Sequence, residues 1–227
     1  VISIRPLAGL PEVTAGADLA VLIHSAAGPG GIRDEDIVVV THKVVSKAEG
    51  AVAPIIDEQQ YRDLVLDQAA AVLRRRGDLV ITETRHGFVC ANAGVDRSNA
   101  APGTAVLLPE DPDKSAHSIR MKLERLSGAR VGVIISDTFG RAWRQGLVDV
   151  AIGISGVTAI LDLRGKADAG GRRMEVTEIA VADEIAAAAD LAMGKATSIP
   201  AAIVRGLPLG DGRGRDLVRD PGEDLFR

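Results

Sequence analysis

Three short polar clusters in this chain carry the residue types that handle phosphates and hard cations. The first is His42-Lys43 with Lys47 shortly after. Lysine ammonium groups hold phosphate oxygens as point charges. The second is Asn92-Ala93-Gly94-Val95-Asp96-Arg97-Ser98-Asn99, where small residues and amides bend the chain while Asp96 and Asn99 present oxygens. Cations of the magnesium type are held by such oxygens, commonly one or two carboxylates completed by substrate phosphates. The third is Ser136-Asp137-Thr138, followed by Arg141, Trp143 and Arg144. An Asp delivered by an apolar strand holds a metal near phosphates. Thr138 adds a hydroxyl, and the two guanidinium groups suit bidentate contacts with carboxylates or phosphates. Trp143 would shelter a flat ring or anchor a core or interface. Plainer readings stand beside these: a solvated strand end for the first cluster and an Asx-turn without ligand for the second.

Each cluster follows a stretch that reads as β, and strand ends open onto a common crevice in sheet proteins. Ile37–Val40 is a continuous β-branched run, and Val131–Ile135 is a strongly β run that ends at Ser136-Asp137-Thr138. Further strands are expected at Val1–Ile4, Leu79–Thr82, Phe88–Ala91, Ala105–Leu108, Ala151–Ile154, Ala159–Asp162 and Ala201–Val204, with the first and last strands pairing. Helices are expected at Ala17–Ala26, Asp57–Arg76, Ala116–Leu126 and Ala180–Met193, the second closing on Arg74-Arg75-Arg76 and Gly77. The Gly-, Asp- and Arg-rich segment Gly206–Arg227 reads as a linker or loosely ordered end.

Composition removes several function classes. The chain has 227 residues, a formal net charge of −4 and only one Trp, one Tyr and three Phe. That leaves no global basic footprint for nucleic acid and few base-stacking side chains. Cys90 is the only cysteine, so no disulfide forms within one chain and a cytoplasmic setting is expected. No signal peptide is visible, and no apolar run reaches the roughly 18 residues of a membrane span. No phosphate-binding G-x-x-x-x-G-K-[ST] loop, dinucleotide fingerprint or G-x-S-x-G elbow occurs. The four histidines, His24, His42, His86 and His117, are scattered without ligand spacing.

Several segments, in order, resemble one family. They are Gly9-Leu10-Pro11, Val44-Val45-Ser46-Lys47-Ala48-Glu49-Gly50, the Asn92–Asn99 cluster and Val131–Gly140 with Arg141. Asp149-Val150-Ala151-Ile152-Gly153, Ala182-Asp183-Glu184 and Ile199–Gly206 continue the likeness. Together they resemble the coenzyme F-420-0:L-glutamate ligase (gamma-glutamyl ligase) family. The segment Thr84–Val89 and the tail Arg213–Phe226 look actinobacterial, where the ligase resembles the N-terminal half of a two-domain protein with a flavin-binding nitroreductase-like second half.

The resemblance implies a GTP-dependent ligase that adds L-glutamate to the coenzyme precursor, using magnesium or manganese and potassium. It implies an α+β fold of mixed sheets in two intertwined lobes over residues 1–207, a tail at 208–227, and a homodimer. Carried over by position, Leu10, Pro11, Glu12 and Val13 would touch nucleotide, with His42, Lys43, Lys47 and Asn99. The family often has Ser-Thr where this chain has His42-Lys43. Lys195, Ala196, Thr197, Ser198, Ile199, Pro200 and Ala201 correspond to another nucleotide loop. Asp96 and Asp137 would be metal ligands, with Thr138 on a second metal, and Lys47 and Asp137 would serve the chemistry. Arg141 and Arg144 are candidates for anionic substrate groups on their own chemistry. Two alternatives stay open: a metal-dependent nucleotide hydrolase or phosphotransferase, and a non-catalytic module that holds coenzyme or nucleotide for a partner domain. Intact Asp96, Asp137 and Lys47 speak against the latter.

Overall fold

The computed structural model describes residues 1–225. The chain opens with β1 (Ser3–Pro6), α1 (Leu19–Ala27), β2 (Ile37–Thr41) and α2 (His42–Glu49). It then makes one excursion through β3 (Val52–Pro54), α3 (Glu58–Gln68), β4 (Ala69–Arg76), β5 (Leu79–Thr84), β6 (Val89–Ala91) and β7 (Thr104–Val106). It returns through α4 (Pro112–Ser127), β8 (Gly132–Arg141), β9 (Arg144–Ser155), β10 (Leu161–Asp162), β11 (Glu178–Ile179), α5 (Val181–Met193) and β12 (Ala201–Arg205). The fold is mixed α+β.

The main sheet runs β1-β12-β2-β8-β9, and within it only β2 and β8 pair parallel. The first and last strands pair antiparallel, Ile4 opposite Val204, as their sequences suggest. Strand side chains alternate between faces, and both faces here are covered. Val38, Val40, Val133 and Ile135 pack with Ile23 of α1 and Leu123 of α4. Ile37, Val39, Ile134 and Val204 pack with Ala182, Ile185, Ala186, Ala189 and Met193 of α5. Coverage on both sides explains why β2 reads as an unbroken apolar run rather than an alternating one. Each fully buried Ile or Val stabilises by roughly 1.5–3 kcal/mol. At Gly153 in β9 a Cβ would lie 2.3 Å from the Pro112 carbonyl oxygen, so only glycine lets the start of α4 sit on the sheet.

The excursion has its own small core of Ile55, Val65, Ala93, Val95 and Ala105. β3 pairs with β7, and β4, β5 and β6 form a separate antiparallel sheet. Here the expected helix over Asp57–Arg76 is corrected: it stops at Gln68, and Ala69–Arg76 is a strand. Ala, Leu and Arg favour helix, but Gly77-Asp78 closes a tight hairpin in which Arg76 pairs with Leu79 and Arg75 with Val80. Sheet pairing overrides weak intrinsic propensity. The arginine triplet therefore lies on a strand rather than at a helix end.

Two further expectations change. The apolar strand does not end at Ser136 but continues to Arg141, because β9 pairs with it as far as Arg144. The segment after residue 206 is not a loose linker throughout. Leu209, Leu217 and Val218 pack on the two main core clusters, Gly210 donates to the Gly156 carbonyl, and Gly214 donates to Asp113. Phe226 and Arg227 of the 208–227 tail lie outside the described residues. No helix among the described residues is long and apolar enough to cross a membrane.

Candidate functional site

A cleft of about 480 Å³ opens where the parallel pair β2–β8 ends, Thr41 opposite Ser136. Its walls come from five places. Leu10, Pro11, Glu12 and Val13 form one loop, and the start of α2 brings Thr41, His42, Lys43 and Lys47. The excursion reaches back with Asn99, Ala100 and Ala101. Ser136, Asp137 and Thr138 come from β8 with Asp149 from β9, and the end of α5 with its following loop brings Asp190, Lys195 and Pro200.

α2 follows β2 without an intervening loop and has no side-chain N-cap. Its first N–H groups have no partner within the helix, and the helix start carries partial positive charge. Two consecutive side chains at this start reach carboxylates on different elements. His42 Nδ1 lies 3.0 Å from Asp137 Oδ1, and Lys43 Nζ lies 2.7 Å from Asp96 Oδ2. His42 is 1% exposed and its Nε2 has no partner among the described residues. One turn on, Lys47 Nζ donates to Glu12 Oε1 at 2.6 Å. Asp96 also accepts from the Ser98 backbone N–H at 2.6 Å, which is the Asx-turn that its neighbours suggest. Burial pushes the Asp96 carboxyl up, but the Lys43 and Ser98 contacts outweigh it and hold the group below its ordinary value.

Side chains on β8 alternate, so Asp137 faces α2 while Ser136 and Thr138 share the other face. There Asp149, paired with Thr138 in register, is 2% exposed. Its carboxylate accepts from Ser136 Oγ at 2.9 Å, Thr138 Oγ1 at 2.5 Å and Lys195 Nζ at 3.0 Å. Lys195 also donates to Thr138 Oγ1 and lies 3.4 Å from Asp190 Oδ1. Burial pulls the Lys195 ammonium down, but Asp149 and Asp190 outweigh it, so its pKa is raised. A register shift between Ile135 and Ser136 sets these partners opposite each other.

The cleft's donors are hard oxygens, the set a magnesium-type ion requires. Among the described residues no three His, Cys, Asp or Glu side chains converge as a closed metal cage. The donors therefore fit an ion that takes one or two protein oxygens and completes its shell with water and substrate phosphate. Asp137, Thr138 and Asp149 are the cleft-lining groups placed to do so, and Asp96 stands behind Lys43.

Most residues singled out from the sequence meet in this cleft, including Lys47, Asn99, Ala196, Ser198 and Ile199. Thr197 turns away, its hydroxyl donating to the Met193 carbonyl, and Ala201 is buried in β12. Arg141 and Arg144 sit at the tip of the β8–β9 hairpin, exposed and outside the cleft lining, and Trp143 between them is 87% exposed. Arg141 donates to the Gln145 carbonyl there at 2.6 Å. Asp149 and Asp190 line the cleft although the sequence does not mark them as site residues. The signal for Asp149 is an acidic residue opening an otherwise apolar run, Val150–Ile154; its partner Thr138 is visible only once the hairpin register is known. Cys90, buried in β6 near Asp137, has its thiol pushed up to about 12 by burial first and that carboxylate second, which makes it packing rather than a nucleophile.

Comparison with known proteins matches residues 9–206 to the family described as F420-0:Gamma-glutamyl ligase. The chain is similar to the coenzyme F420:L-glutamate ligase of Methanothermobacter thermautotrophicus, at 43% identity covering 100% of this chain and 99% of that protein. It is 45% identical to the enzyme so named in Methanocaldococcus jannaschii, covering 86% of each chain. The ligase of Methanopyrus kandleri is 42% identical, over 99% of this chain and 97% of its own. A match of this extent and identity settles the assignment: the chain belongs to the F420-0:gamma-glutamyl ligase family.

Proposed function

We propose that this protein joins L-glutamate to the coenzyme F-420 precursor through an amide bond, with GTP as the activating co-substrate. One observation carries the reading. An uncapped helix start, three lysines and a set of carboxylate and hydroxyl oxygens line one cleft in a chain of this family. Such a cleft suits a nucleoside triphosphate with its cation, because backbone N–H groups and ammonium groups take phosphate oxygens while carboxylates take the cation.

A carboxylate does not accept an amine directly, since its oxygen is a poor leaving group. In the proposed reaction a precursor carboxylate oxygen attacks the γ-phosphorus of GTP, forming an acyl phosphate and releasing GDP. The glutamate amine then attacks the acyl carbon, loses a proton and expels phosphate. A bound magnesium or manganese ion would supply charge neutralisation at the phosphate oxygens. Asp137, Thr138 and Asp149 would hold such ions, Asp96 joining them once Lys43 turns to phosphate, with potassium as the monovalent companion. His42 fixes the Asp137 carboxylate through its Nδ1 contact. Lys47 and Lys43 turn their ammonium groups from Glu12 and Asp96 to the phosphates, while Leu10–Val13, Asn99 and the cleft-facing residues of the 195–200 loop hold the rest of the nucleotide. The acyl phosphate reacts readily with water, so exclusion of solvent matters; a second copy of the chain closing the cleft, in a homodimer, would provide it.

The test is a mass-resolved assay with GTP, magnesium, potassium, L-glutamate and the glutamate-free precursor. The reading predicts a product heavier by one or more glutamyl units, lost when glutamate or GTP is omitted. GDP formation with no glutamylated product overturns it in favour of a hydrolase. Precursor or GDP binding with no turnover overturns it in favour of a binding module.

A further inference from the structure

The three lysines of the cleft are each neutralised by a carboxylate: Lys43 by Asp96, Lys47 by Glu12, and Lys195 by Asp149 and Asp190. The Lys195 pair differs from the other two. Asp149 is 2% exposed, whereas the partner of Lys47, Glu12, has a side chain 78% exposed. A buried carboxylate without a counter-ion is strongly unfavourable, and two hydroxyl donors, Ser136 and Thr138, do not supply a charge. The charge comes from Lys195, whose own side chain is 58% exposed.

Lys195 is the second residue after α5, directly behind Gly194, whose φ of 66° lies in the left-handed region that favours glycine. Its ammonium touches oxygens from three elements: Thr138 of β8, Asp149 of β9 and Asp190 of α5. Three oxygen ligands around one partly exposed ammonium form the environment of a bound ion with a lysine seated in it.

We infer that Lys195 is a resident counter-ion: it occupies the Thr138–Asp149–Asp190 oxygen cluster until a divalent cation takes those oxygens, and its displaced ammonium then pairs with nucleotide phosphate. The inference deepens the proposed function and rests on it for the identity of the phosphate ligand. The charge arithmetic follows directly. A cation binding alone must displace an ammonium, and a nucleotide binding alone must draw that ammonium from a buried carboxylate. When both bind, each releases what the other needs. Cation and nucleotide must therefore favour each other's binding through this protein residue, and the coupling is reciprocal.

The experiment titrates the full chain with Mn²⁺, free ion being read by electron paramagnetic resonance, with and without GDP. The variants are Lys195→Met, Lys195→Arg and the double variant Lys195→Met with Asp149→Asn. Without GDP, Lys195→Met should bind Mn²⁺ about tenfold tighter than the parent, a shift within the usual range of coupling between sites. Lys195→Arg, which keeps the charge, should stay near the parent. The double variant should lose the gained affinity, which assigns it to the Asp149 cluster rather than to Asp96 and Asp137. In Lys195→Met the enhancement of Mn²⁺ binding by GDP should shrink by a similar factor. Equal Mn²⁺ affinity in the parent and a folded Lys195→Met chain, or a gain that survives Asp149→Asn, overturns the inference. These outcomes are separable from failure of the ligase reading. Tighter Mn²⁺ binding in a chain that makes no glutamylated product sinks the reaction but not the counter-ion, and glutamylation with unchanged Mn²⁺ affinity does the reverse.

Discussion

At residue scale the informative pair is His42 and Lys43. Adjacent on the first turn of α2, they reach Asp137 and Asp96, which lie on different elements. Asp137→Asn keeps the volume and removes the charge, so it should lower kcat/KM for glutamylation by about 100-fold or more, with thermal stability little changed. His42→Ala should weaken Mn²⁺ binding roughly 10- to 100-fold by releasing the carboxylate that it orients. His42→Asn, which restores a donor, should recover part of that loss in the same titration. The sequence shows Asp96, Asp137 and Lys47 as chemistry-bearing residues because their types and neighbours suffice. It does not show what His42 touches: a histidine without ligand spacing says nothing about a carboxylate 95 positions away in the chain.

At element scale the site depends on how β9 is held. Ile154 and Gly214 both donate backbone N–H groups to Asp113 Oδ1 near the start of α4. Burial raises the Asp113 carboxyl above its ordinary 3.8, and those two donors only partly offset it. The folded state therefore favours the protonated acid. Stability from this group is full below that ordinary value and is lost as pH rises through the raised native value. Asp113→Asn keeps an accepting oxygen that does not titrate, so denaturant midpoints measured across this window should flatten with pH relative to the parent. Gly153→Ala, which drives a Cβ into the Pro112 carbonyl, should lower the unfolding free energy by about 1–3 kcal/mol. The same strand shows where local reading fails. Periodicity finds the apolar half of β8 but stops at the first polar residue, whereas pairing with β9 carries the strand through Asp137 and Thr138. β4 fails for the opposite reason, since its Ala- and Arg-rich composition is helix-like and only its partner β5 makes it a strand.

At the scale of the whole molecule, the cleft exists because a single excursion, bearing its own core, returns Asn99 and Asp96 to the end of the main sheet. The sheet's buried runs, β2, β12 and the first half of β8, are legible because burial on both faces makes them apolar. The helix α2 is not legible as a helix, because it is only eight residues long and its start abuts a strand with no loop or side-chain cap between them. Nor does composition reveal that residues 207–218 pack on β9 and α4, since that packing rests on close backbone approach at Gly210, Gly212 and Gly214 beside only a few apolar anchors such as Leu209, Leu217 and Val218.

In the proposed reaction this cleft activates a carboxylate through phosphate transfer and then hands it to an amine. The most direct measurement uses precursor labelled with heavy oxygen in its reacting carboxylate, turned over with GTP and L-glutamate, with the released phosphate weighed. Acyl phosphate formation predicts one labelled oxygen in each phosphate produced, and loss of that transfer in Asp137→Ala. Unlabelled phosphate accompanying glutamylated product, or label transfer undiminished in Asp137→Ala, would rule that reaction out.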